Sequence, residues 1–524
     1  MKAGLDPIAL QVMLGALRAA CEEMGAVLVR SANSANIKER RDASTALFDA
    51  AGQMAMQAEH IPVHLGAMPS AVAAVLESDH TPGDAWVLND PFKGGTHLPD
   101  ITVISPVFAG KELLGFAASR AHHADVGAAE PGSMPADSRT IDEEGVVIEP
   151  ARLARAGELD RELLDSLISR MRNPRQREAD LRAQLAANRT GADRMQALAE
   201  GMGATDLRAG MAETQDYAER RTRAAIAELD DGEHAASGLL EAAHGDLELR
   251  LRATVRGEEV QLDFAGSAGA HEGNLNCPLA VTLSACYFAL RVLADPDVPP
   301  CAGAYRPLTV SVPEGSLLHA RRPSAVAAGN VETSSRVADL VLSAFGRALG
   351  QGTMNNLTLG NDAFTYYETL GGGQGACADA AGPSAVHVAM SNTLNTPIEA
   401  LELEFPLRAV EYAVRRGSGG NGRHRGGDGV VREVQALEEM RYSLITERRR
   451  HAPPGAEGGG DGARGRNLLN GEELPAKSSG TLRPGNRLRL ETPGGGGYGA
   501  RTETAHVSRA PHTQRHRSDR KGPR

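Results

Sequence analysis

Aromatic side chains are scarce in this chain of 524 residues, which contains 1 Trp, 8 Tyr and 9 Phe. We therefore expect hydrophobic cores that are built mainly from aliphatic side chains. No stretch of about 18 uncharged apolar residues occurs, which argues against a transmembrane helix. The N-terminal segment contains Asp6, Pro7, Arg18 and Glu22, so it favours an amphipathic helix over a signal peptide. A membrane-bound protein is disfavoured.

Cysteine is also rare, and no CxxC pair occurs. The five cysteines are Cys21, Cys277, Cys286, Cys301 and Cys377. An odd number of widely separated cysteines argues against a disulfide framework, so we expect a reduced, cytoplasmic protein. The chain has 56 Lys and Arg against 67 Asp and Glu, which gives a formal net charge of −11. This acidic balance disfavours a general nucleic-acid-binding surface.

Nucleotide-binding signatures are missing as well. The sequence has no GxxxxGK[ST] loop, no GxGxxG after a strand, and no GxSxG nucleophile elbow. Glycine is abundant, with 59 residues, and its densest runs are GSGGNGRHRGGDG and TPGGGGYG. Phosphate-binding loops are one interpretation of these runs, but their flanks are typical of turns rather than of a strand that leads into a helix. We therefore predict no nucleotide site in this chain.

The length and the local patterns predict an α+β protein of several structural units. Apolar residues at helical spacing predict a helix over 8–30, and further helices are predicted over 274–293 and 330–350. Short buried strands separated by turns are predicted between 85 and 118. Polar and apolar residues alternate over 246–264, which predicts a β-hairpin with one solvated face.

Changes in composition along the chain predict five units. The stretch from 151 to 230 is rich in Ala, Arg, Leu and Glu, which predicts two or three solvated helices. The predicted units are a mixed α/β N-terminal part with the histidine cluster, 1–150; a helical insert or subdomain, 151–245; a central α/β unit, 246–415; a Gly-rich, predominantly β unit, 416–504; and a disordered basic tail, 505–524.

Histidines concentrate near the N-terminus, where carboxylates accompany most of them. The segments are AEHIPVH, NDPFKGGTHLPD and RAHHADVG, with Glu59, His60 and His64; Asp90, His97 and Asp100; and His122, His123 and Asp125. Imidazoles and carboxylates together suit Zn²⁺, Mn²⁺ or Fe²⁺, so the cluster predicts a divalent-metal or catalytic site. The alternative is that these side chains are turn caps and hydrogen-bonded polar groups of the core, since the spacing matches no defined metal motif.

The local backbone pattern indicates how part of this cluster would converge. In GTHLPD, the proline and the Gly-Gly turn fix a loop that would aim His97 and Asp100 into one cavity. In HHAD, an extended strand would place His123 and Asp125 on one face and His122 on the other. His123 and Asp125 would then ligate the metal together, and Asp100 from its loop would complete the site. A strand rotated by one residue would exchange the roles of the two neighbouring histidines.

A second set of polar segments lies later in the chain. These segments are GNVETSSR, GTMNN, YYETLGGGQG and SNTLNTPIEALE. Amides and hydroxyls among glycines commonly form turn and cap networks. Their density also fits a pocket for an oxyanion or a substrate amide, and both interpretations stay open. The isolated His80, His271 and His387 are interpreted as surface-turn residues.

A dozen segments, in the same order, make the sequence resemble the hydantoinase B/5-oxoprolinase family over residues 5–500. They include RRDASTALFDAAGQMAMQAEHIPVHLGAM, PGDAWVLNDPFKGGTHLPDITVISPVF, RAHHADVGAAEPGSMP, GNLNCPLAVTLSACY, AAGNVETSSR, YYETLGGGQG, SNTLNTPIEALE and TPGGGGYG. The resemblance implies the B-type subunit of an ATP-dependent cyclic amide hydrolase that opens hydantoin or 5-oxoproline rings. ATP would bind to a separate A-type subunit, in agreement with the missing nucleotide loop.

The resemblance also implies a site and partners. A divalent ion (Zn, Mn or Fe) would be held by a subset of the matching acidic and histidine positions. The expected ligands are Asp90, His97, Asp100, His123 and Asp125, and the expected catalytic residues are Glu59, as general base, and His122. We expect a hetero-oligomer with the A-type subunit and a small cyclic amide as substrate. Two alternatives stay open: a subunit of an ATP-dependent ketone carboxylase of the acetone or acetophenone type, and a non-catalytic structural partner.

Overall fold

The structure is a computed structural model that describes residues 6–500, apart from the side chain of Glu59. It contains helices and several sheets, so the predicted α+β class is confirmed. The predicted basic tail, 505–524, lies outside the described residues. No helix between residues 6 and 500 has both the length and the apolar character needed to cross a bilayer.

Nine α-helices occur in the described part of the chain. They are α1 Pro7–Ser31, α2 Ala35–Lys38, α3 Ala67–Ala73, α4 Arg161–Ile168, α5 Pro174–Met202, α6 Ala204–Ile226, α7 Leu279–Leu293, α8 Ser334–Ala344 and α9 Ile398–Glu404. Helix α1 begins where the Asp6 side chain accepts hydrogen bonds from the backbone N–H groups of Ile8 and Ala9, as an N-cap residue does. The helices predicted near residues 8–30, 274–293 and 330–350 are thus confirmed. A π-helical turn, Gly329–Thr333, precedes α8.

The N-terminal half contains a seven-stranded antiparallel sheet. Its strands are β1 Ala43–Asp49, β2 Met54–Glu59, β3 Ala85–Leu88, β4 Asp100–Ala109, β5 Glu112–His122, β6 Ala151–Arg155 and β7 Glu158–Leu159. They lie in the order β2-β1-β5-β4-β3-β6-β7. The strands predicted between 85 and 118 are therefore confirmed as β3, β4 and β5. In the register of β4 and β5, Asp100 lies opposite His122.

Helices cover both faces of this sheet. One hydrophobic core lies between the sheet and helices α1, α5 and α6. The largest core lies on the other face, where α3, α7 and α8 pack, and it continues into the next sheet. The candidate site is positioned by β4 and β5, which are central strands of this layered arrangement.

Helix α5 is not a solvated helix as the sequence predicted, because a row of its polar side chains is buried against the sheet. The Gln184 Nε2 group donates a hydrogen bond of 2.9 Å to the Ile101 carbonyl, and Asn188 Nδ2 donates one of 2.9 Å to the Val103 carbonyl. These bonds allow the amides to be buried, since an unpaired buried amide is costly. The boundaries predicted between the units stay predictions.

Three further sheets follow in the chain. Their strands are β8 Gly232–Ala242, β9 Gly245–Arg256, β10 Glu259–Asp263, β11 Leu308–Ser311, β12 Asn356–Gly360, β13 Thr365–Glu368, β14 Leu407–Arg415, β15 Gly429–Ala436, β16 Met440–Ile445, β17 Arg466–Leu469, β18 Glu472–Leu474, β19 Lys477–Leu482 and β20 Arg487–Glu491. The sheet orders are β11-β10-β9-β8, β13-β12-β16-β19 and β14-β15-β20-β17-β18. The hairpin predicted over 246–264 is confirmed as β9 and β10, which pair antiparallel.

Glycine-rich segments pack backbone against backbone near the C-terminal end of the described chain. The Gly420 N–H donates to the Gly495 carbonyl at 2.9 Å, and the Gly495 N–H donates to the Gly427 carbonyl at 2.9 Å. A Cβ atom on Gly495 would lie 2.0 Å from the Gln374 carbonyl oxygen, so only glycine fits this approach.

Candidate metal centre

One carboxylate and two imidazoles meet where β4 begins and β5 ends. Asp100 is the first residue of β4, and the antiparallel register places it opposite His122, the last residue of β5. His97 lies on the preceding loop, which turns tightly enough for the Asp100 N–H to donate a 3.0 Å hydrogen bond to the His97 carbonyl. The strand pairing and this turn therefore bring together three side chains that are at least 98% buried.

The donor atoms of these three side chains face one another at nearly equal distances. His97 Nε2 lies 3.2 Å from His122 Nδ1, and each of these nitrogens lies 3.3 Å from Asp100 Oδ1. Ligand atoms at about 2.0–2.1 Å from a tetrahedral Zn²⁺ ion would be about 3.3–3.4 Å apart. Asp100 Oδ1 is buried and accepts no hydrogen bond. Donor types, spacing and this unpaired oxygen all fit a divalent ion.

The second oxygen of Asp100 is held by neighbouring side chains. Thr96 Oγ1 donates to Asp100 Oδ2 at 2.5 Å, and His64 Nε2 lies 3.3 Å from the same oxygen. His64 is carried by the 3₁₀ turn Pro62–His64, and its Nδ1 atom lies 2.9 Å from Ser44 Oγ. These contacts orient the carboxylate so that Oδ1 faces the two imidazoles, as residues behind metal ligands do. His64 belongs to the AEHIPVH segment but was not among the predicted site residues.

The electrostatic surroundings favour an ionised Asp100 carboxylate and a neutral His122 imidazole. Burial alone would raise the pKa of Asp100, but His97 and His64 hold that pKa well below its usual range, so the carboxylate is ionised. Burial lowers the pKa of His122 below its usual value, so its imidazole is neutral at physiological pH. A neutral imidazole and an ionised carboxylate are the forms in which these side chains ligate metals.

Aromatic stacking and a buried arginine fix the His122 ring from the other side. The Tyr367 ring of β13 stacks on the His122 ring, with centroids 4.4 Å apart. The Arg40 guanidinium lies 4.7 Å from the Tyr367 ring centroid and donates a 3.1 Å hydrogen bond to the Tyr367 carbonyl. This set of contacts joins the N-terminal sheet to β13. No local sequence pattern indicated the role of Tyr367, because the contact joins residues far apart in the chain.

Asp90 and Asp125, which were predicted as ligands, hold loops elsewhere. Asp90 accepts a 3.0 Å hydrogen bond from the Phe92 N–H and pairs with Arg322 at 3.0 Å. Asp125 accepts hydrogen bonds from the Gly127 and Gly132 N–H groups and from Arg172. Both carboxylates thus have partners outside the His97, Asp100 and His122 cluster, and their assignment as ligands gains no support from these contacts.

His123 also lies outside the cluster, whereas the side chain of Glu59 is not described. The His123 ring points toward α5, where Nε2 lies 2.9 Å from Gln184 Oε1, and burial lowers its pKa to about 4. Strand β5 therefore has the alternative rotation that the sequence left open: His122, and not His123, lies beside Asp100. Glu59 ends β2 opposite Ser44, and its side chain lies outside the described atoms. Its predicted role as general base stays a prediction.

The sequence profile of the family described as Hydantoinase B/oxoprolinase matches residues 6–501. The chain belongs to this family. The resemblance found in the sequence is thereby confirmed, and it covers all the residues of the candidate metal centre.

Two family relatives show how this chain compares in length. A 5-oxoprolinase from Dictyostelium discoideum is 38% identical over 94% of the chain, which covers 40% of that protein. The B-type component of a putative D-/L-hydantoinase from Pseudomonas sp. (strain NS671) is 31% identical over 94% of the chain, which covers 90% of that protein. The chain thus spans about two fifths of the length of the curated oxoprolinase but nearly the whole hydantoinase component.

Solved structures have a similar fold. The ATP-dependent caprolactamase from Pseudomonas jessenii matches with a TM-score of 0.88 and 28% identity, over 95% of this chain and 92% of that one. An acetone carboxylase matches with a TM-score of 0.84 and 18% identity, over 94% of this chain and 76% of that one. The second likeness shows the shared fold alone.

Proposed function

We propose that this chain is the B-type subunit of an ATP-dependent cyclic amide hydrolase. The observation that carries the proposal is the buried set of donor atoms on His97, Asp100 and His122, which are 3.2–3.3 Å apart. The similarity to a 5-oxoprolinase, to the B-type component of a hydantoinase and to an ATP-dependent caprolactamase supports the substrate class. A structural partner without a catalytic role would have no need of such a set.

The proposal divides the reaction between two components. Opening 5-oxoproline with water is unfavourable enough to need coupling to ATP, and the present sequence has no nucleotide-binding signature. We assign ATP binding, and phosphorylation of the amide oxygen, to an A-type partner. The present chain would receive the activated ring and complete its opening. Such a division makes a hetero-oligomer the working form.

Each residue of the candidate metal centre has a specific part in this proposal. His97, Asp100 and His122 would hold a divalent ion, which when bound supplies a water of lowered pKa and polarises a carbonyl. Thr96 and His64 keep the Asp100 carboxylate oriented through its second oxygen. The nitrogen and oxygen donors suit Zn²⁺, Mn²⁺ or Fe²⁺, so the donor set leaves the choice among these metals open.

The test is co-expression with an A-type subunit, followed by assays of ATP-dependent turnover. We expect ADP formation coupled to ring opening of 5-oxoproline, hydantoin or caprolactam, and we expect His97→Ala to abolish ring opening. His123→Ala is the matched control, because it changes a buried histidine outside the cluster. Carboxylation of acetone with bicarbonate, without lactam turnover, would support the carboxylase alternative. Full ring opening by His97→Ala would support the structural-partner alternative.

A further inference from the structure

A cavity of about 640 Å³ is lined in part by Pro62 and Leu65, which flank the segment that carries His64. Its walls come from the 3₁₀ turn Pro62–His64, from helix α7 and from two of the later polar segments of the sequence, GGGQG and SNTLN. Lining residues include Pro62, Leu65, Phe288, Gln374, His387 and Ser391. Small-molecule sites typically have volumes of about 300–1,000 Å³ and mostly apolar walls with a few polar groups. The cavity has both properties.

Apart from Arg291, the polar side chains of this cavity are neutral hydrogen-bonding groups. His387 Nδ1 lies 2.5 Å from Ser391 Oγ. His387, which the sequence placed in a surface turn, is partly buried, and burial lowers its pKa to about 4, so the ring is neutral. Gln374 adds an amide side chain, and Arg291, a cation on the lining, donates to the Val298 carbonyl at 3.0 Å.

The cavity is connected to the candidate metal centre by a short segment. The turn Pro62–His64 forms part of its wall and carries the His64 ring, whose Nε2 lies 3.3 Å from Asp100 Oδ2. On the other side, Asn392 Nδ2 donates a 2.7 Å hydrogen bond to the carbonyl of His60, two residues before this turn, and so fixes the SNTLN segment to the same stretch of chain. A molecule in the cavity would therefore contact the segment that orients the Asp100 carboxylate.

We propose that this cavity binds the cyclic amide, with Gln374 and the Ser391–His387 pair facing its carbonyl and N–H groups. A lactam edge offers one acceptor and one donor, which an amide side chain and a hydroxyl–imidazole pair can match without any charge. The apolar walls cover the ring carbons. The choice of a cyclic amide among neutral ring compounds rests on the proposed function.

The test measures binding of 2-pyrrolidone to the full chain by saturation-transfer NMR, with cyclopentanone as the matched ligand that lacks the N–H group. We expect 2-pyrrolidone to bind more tightly than cyclopentanone. Gln374→Leu and Ser391→Ala should each weaken it about fivefold, because each removes one hydrogen bond. The Gln374 variant should fold, since its backbone bonds to Pro383 and Gly427 do not involve the side chain.

The control variant is Thr365→Val, in a separate cavity of about 630 Å³ lined by Phe364 and Phe405. The Thr365 hydroxyl has no hydrogen-bond partner, so this replacement breaks no bond. Unchanged binding in Thr365→Val supports the proposal. Weakening by Thr365→Val but not by Gln374→Leu overturns it, as does a folded wild-type chain that binds neither 2-pyrrolidone, 5-oxoproline nor hydantoin.

Turnover separates this inference from the proposed function. If the complex opens lactams and Gln374→Leu leaves KM unchanged, the cavity assignment is wrong and the proposed function stands. If Gln374→Leu weakens lactam binding but the complex opens no lactam under any condition, the binding site stands and the proposed function is wrong.

Discussion

Replacing His122 with alanine should remove the metal, whereas replacing its neighbour His123 should not. His122 Nδ1 is one of three donor atoms that lie 3.2–3.3 Å apart, so His122→Ala leaves only two. The His123 ring points to Gln184 on α5, so His123→Ala removes no donor. The two variants replace adjacent histidines of similar burial. Only the direction in which each ring points differs between them.

The expected magnitudes follow from these contacts. Loss of a group behind a metal ligand typically lowers affinity about 10- to 100-fold, so loss of a ligand itself should exceed about 100-fold. Thr96→Val removes the 2.5 Å hydrogen bond to Asp100 Oδ2 and should fall within the smaller range. His123→Ala should keep the wild-type affinity while the unfolding free energy falls by about 1–3 kcal/mol, because the Gln184 oxygen loses its partner.

The assay is bound metal per chain by inductively coupled plasma mass spectrometry, followed by competition with a chromophoric chelator. His123→Gln is a second control that keeps a polar side chain if the alanine variant fails to fold. Equal metal loss in the His122 and His123 variants would refute the assignment of the strand face. Folded wild-type chain without stoichiometric metal, after growth in metal-supplemented medium, would refute the metal centre itself.

Three further predictions concern ATP, pH and glycine packing. The isolated chain should release no phosphate from ATP, because it has no nucleotide-binding signature; sustained release in a malachite-green assay would contradict this. Burial, and then the nearby Glu447, raise the pKa of Glu332 from its usual 4.5 to about 8, so the folded chain should lose stability as the pH rises between these values. Glu332→Gln should therefore be the more stable protein at pH 9, by up to about 4 kcal/mol in chemical denaturation, with little difference near pH 4. Gly495→Ala should lower Tm, because its Cβ would lie 2.0 Å from a carbonyl oxygen, whereas Gly201→Ala in α5 meets no atom within 4 Å and should not; equal effects in the two variants would argue against the close packing.

The sequence identified the segments of the candidate site but not the contacts within it. Local pattern placed His97 and Asp100 together because they are three residues apart on a constrained loop. The choice between His122 and His123 depends on a rotation of β5 by one residue, which is set by pairing with β4 and packing on α5. Alternation alone cannot set that rotation. His64 approaches Asp100 through tertiary packing, so local sequence carried no sign of its role.

The fold shows the same division between local and distant information. Strands β3 to β5 and helix α7 follow from runs of apolar residues, which one sequence displays directly. Helix α5 was mispredicted as solvated because Gln184 and Asn188 are polar in composition but buried in fact. Their side-chain amides donate hydrogen bonds to carbonyl groups of β4, which lie 83 and 85 residues earlier in the chain. A polar residue with a distant partner cannot be distinguished from a surface residue by its local pattern.

The packing of the last glycine segment has a consequence for the order in which the molecule is completed during synthesis. The Gly494 and Gly497 N–H groups bond to the carbonyls of Ala463 and Gly460, and the Gly373 N–H bonds to the Pro493 carbonyl. None of these loops can close until residues 493–497 have left the ribosome. Gly373 adjoins Gln374, which lines the cavity assigned to the cyclic amide. A nascent chain would therefore carry the three donors of the candidate metal centre early but would acquire a finished cavity only when nearly all of the described chain has been made.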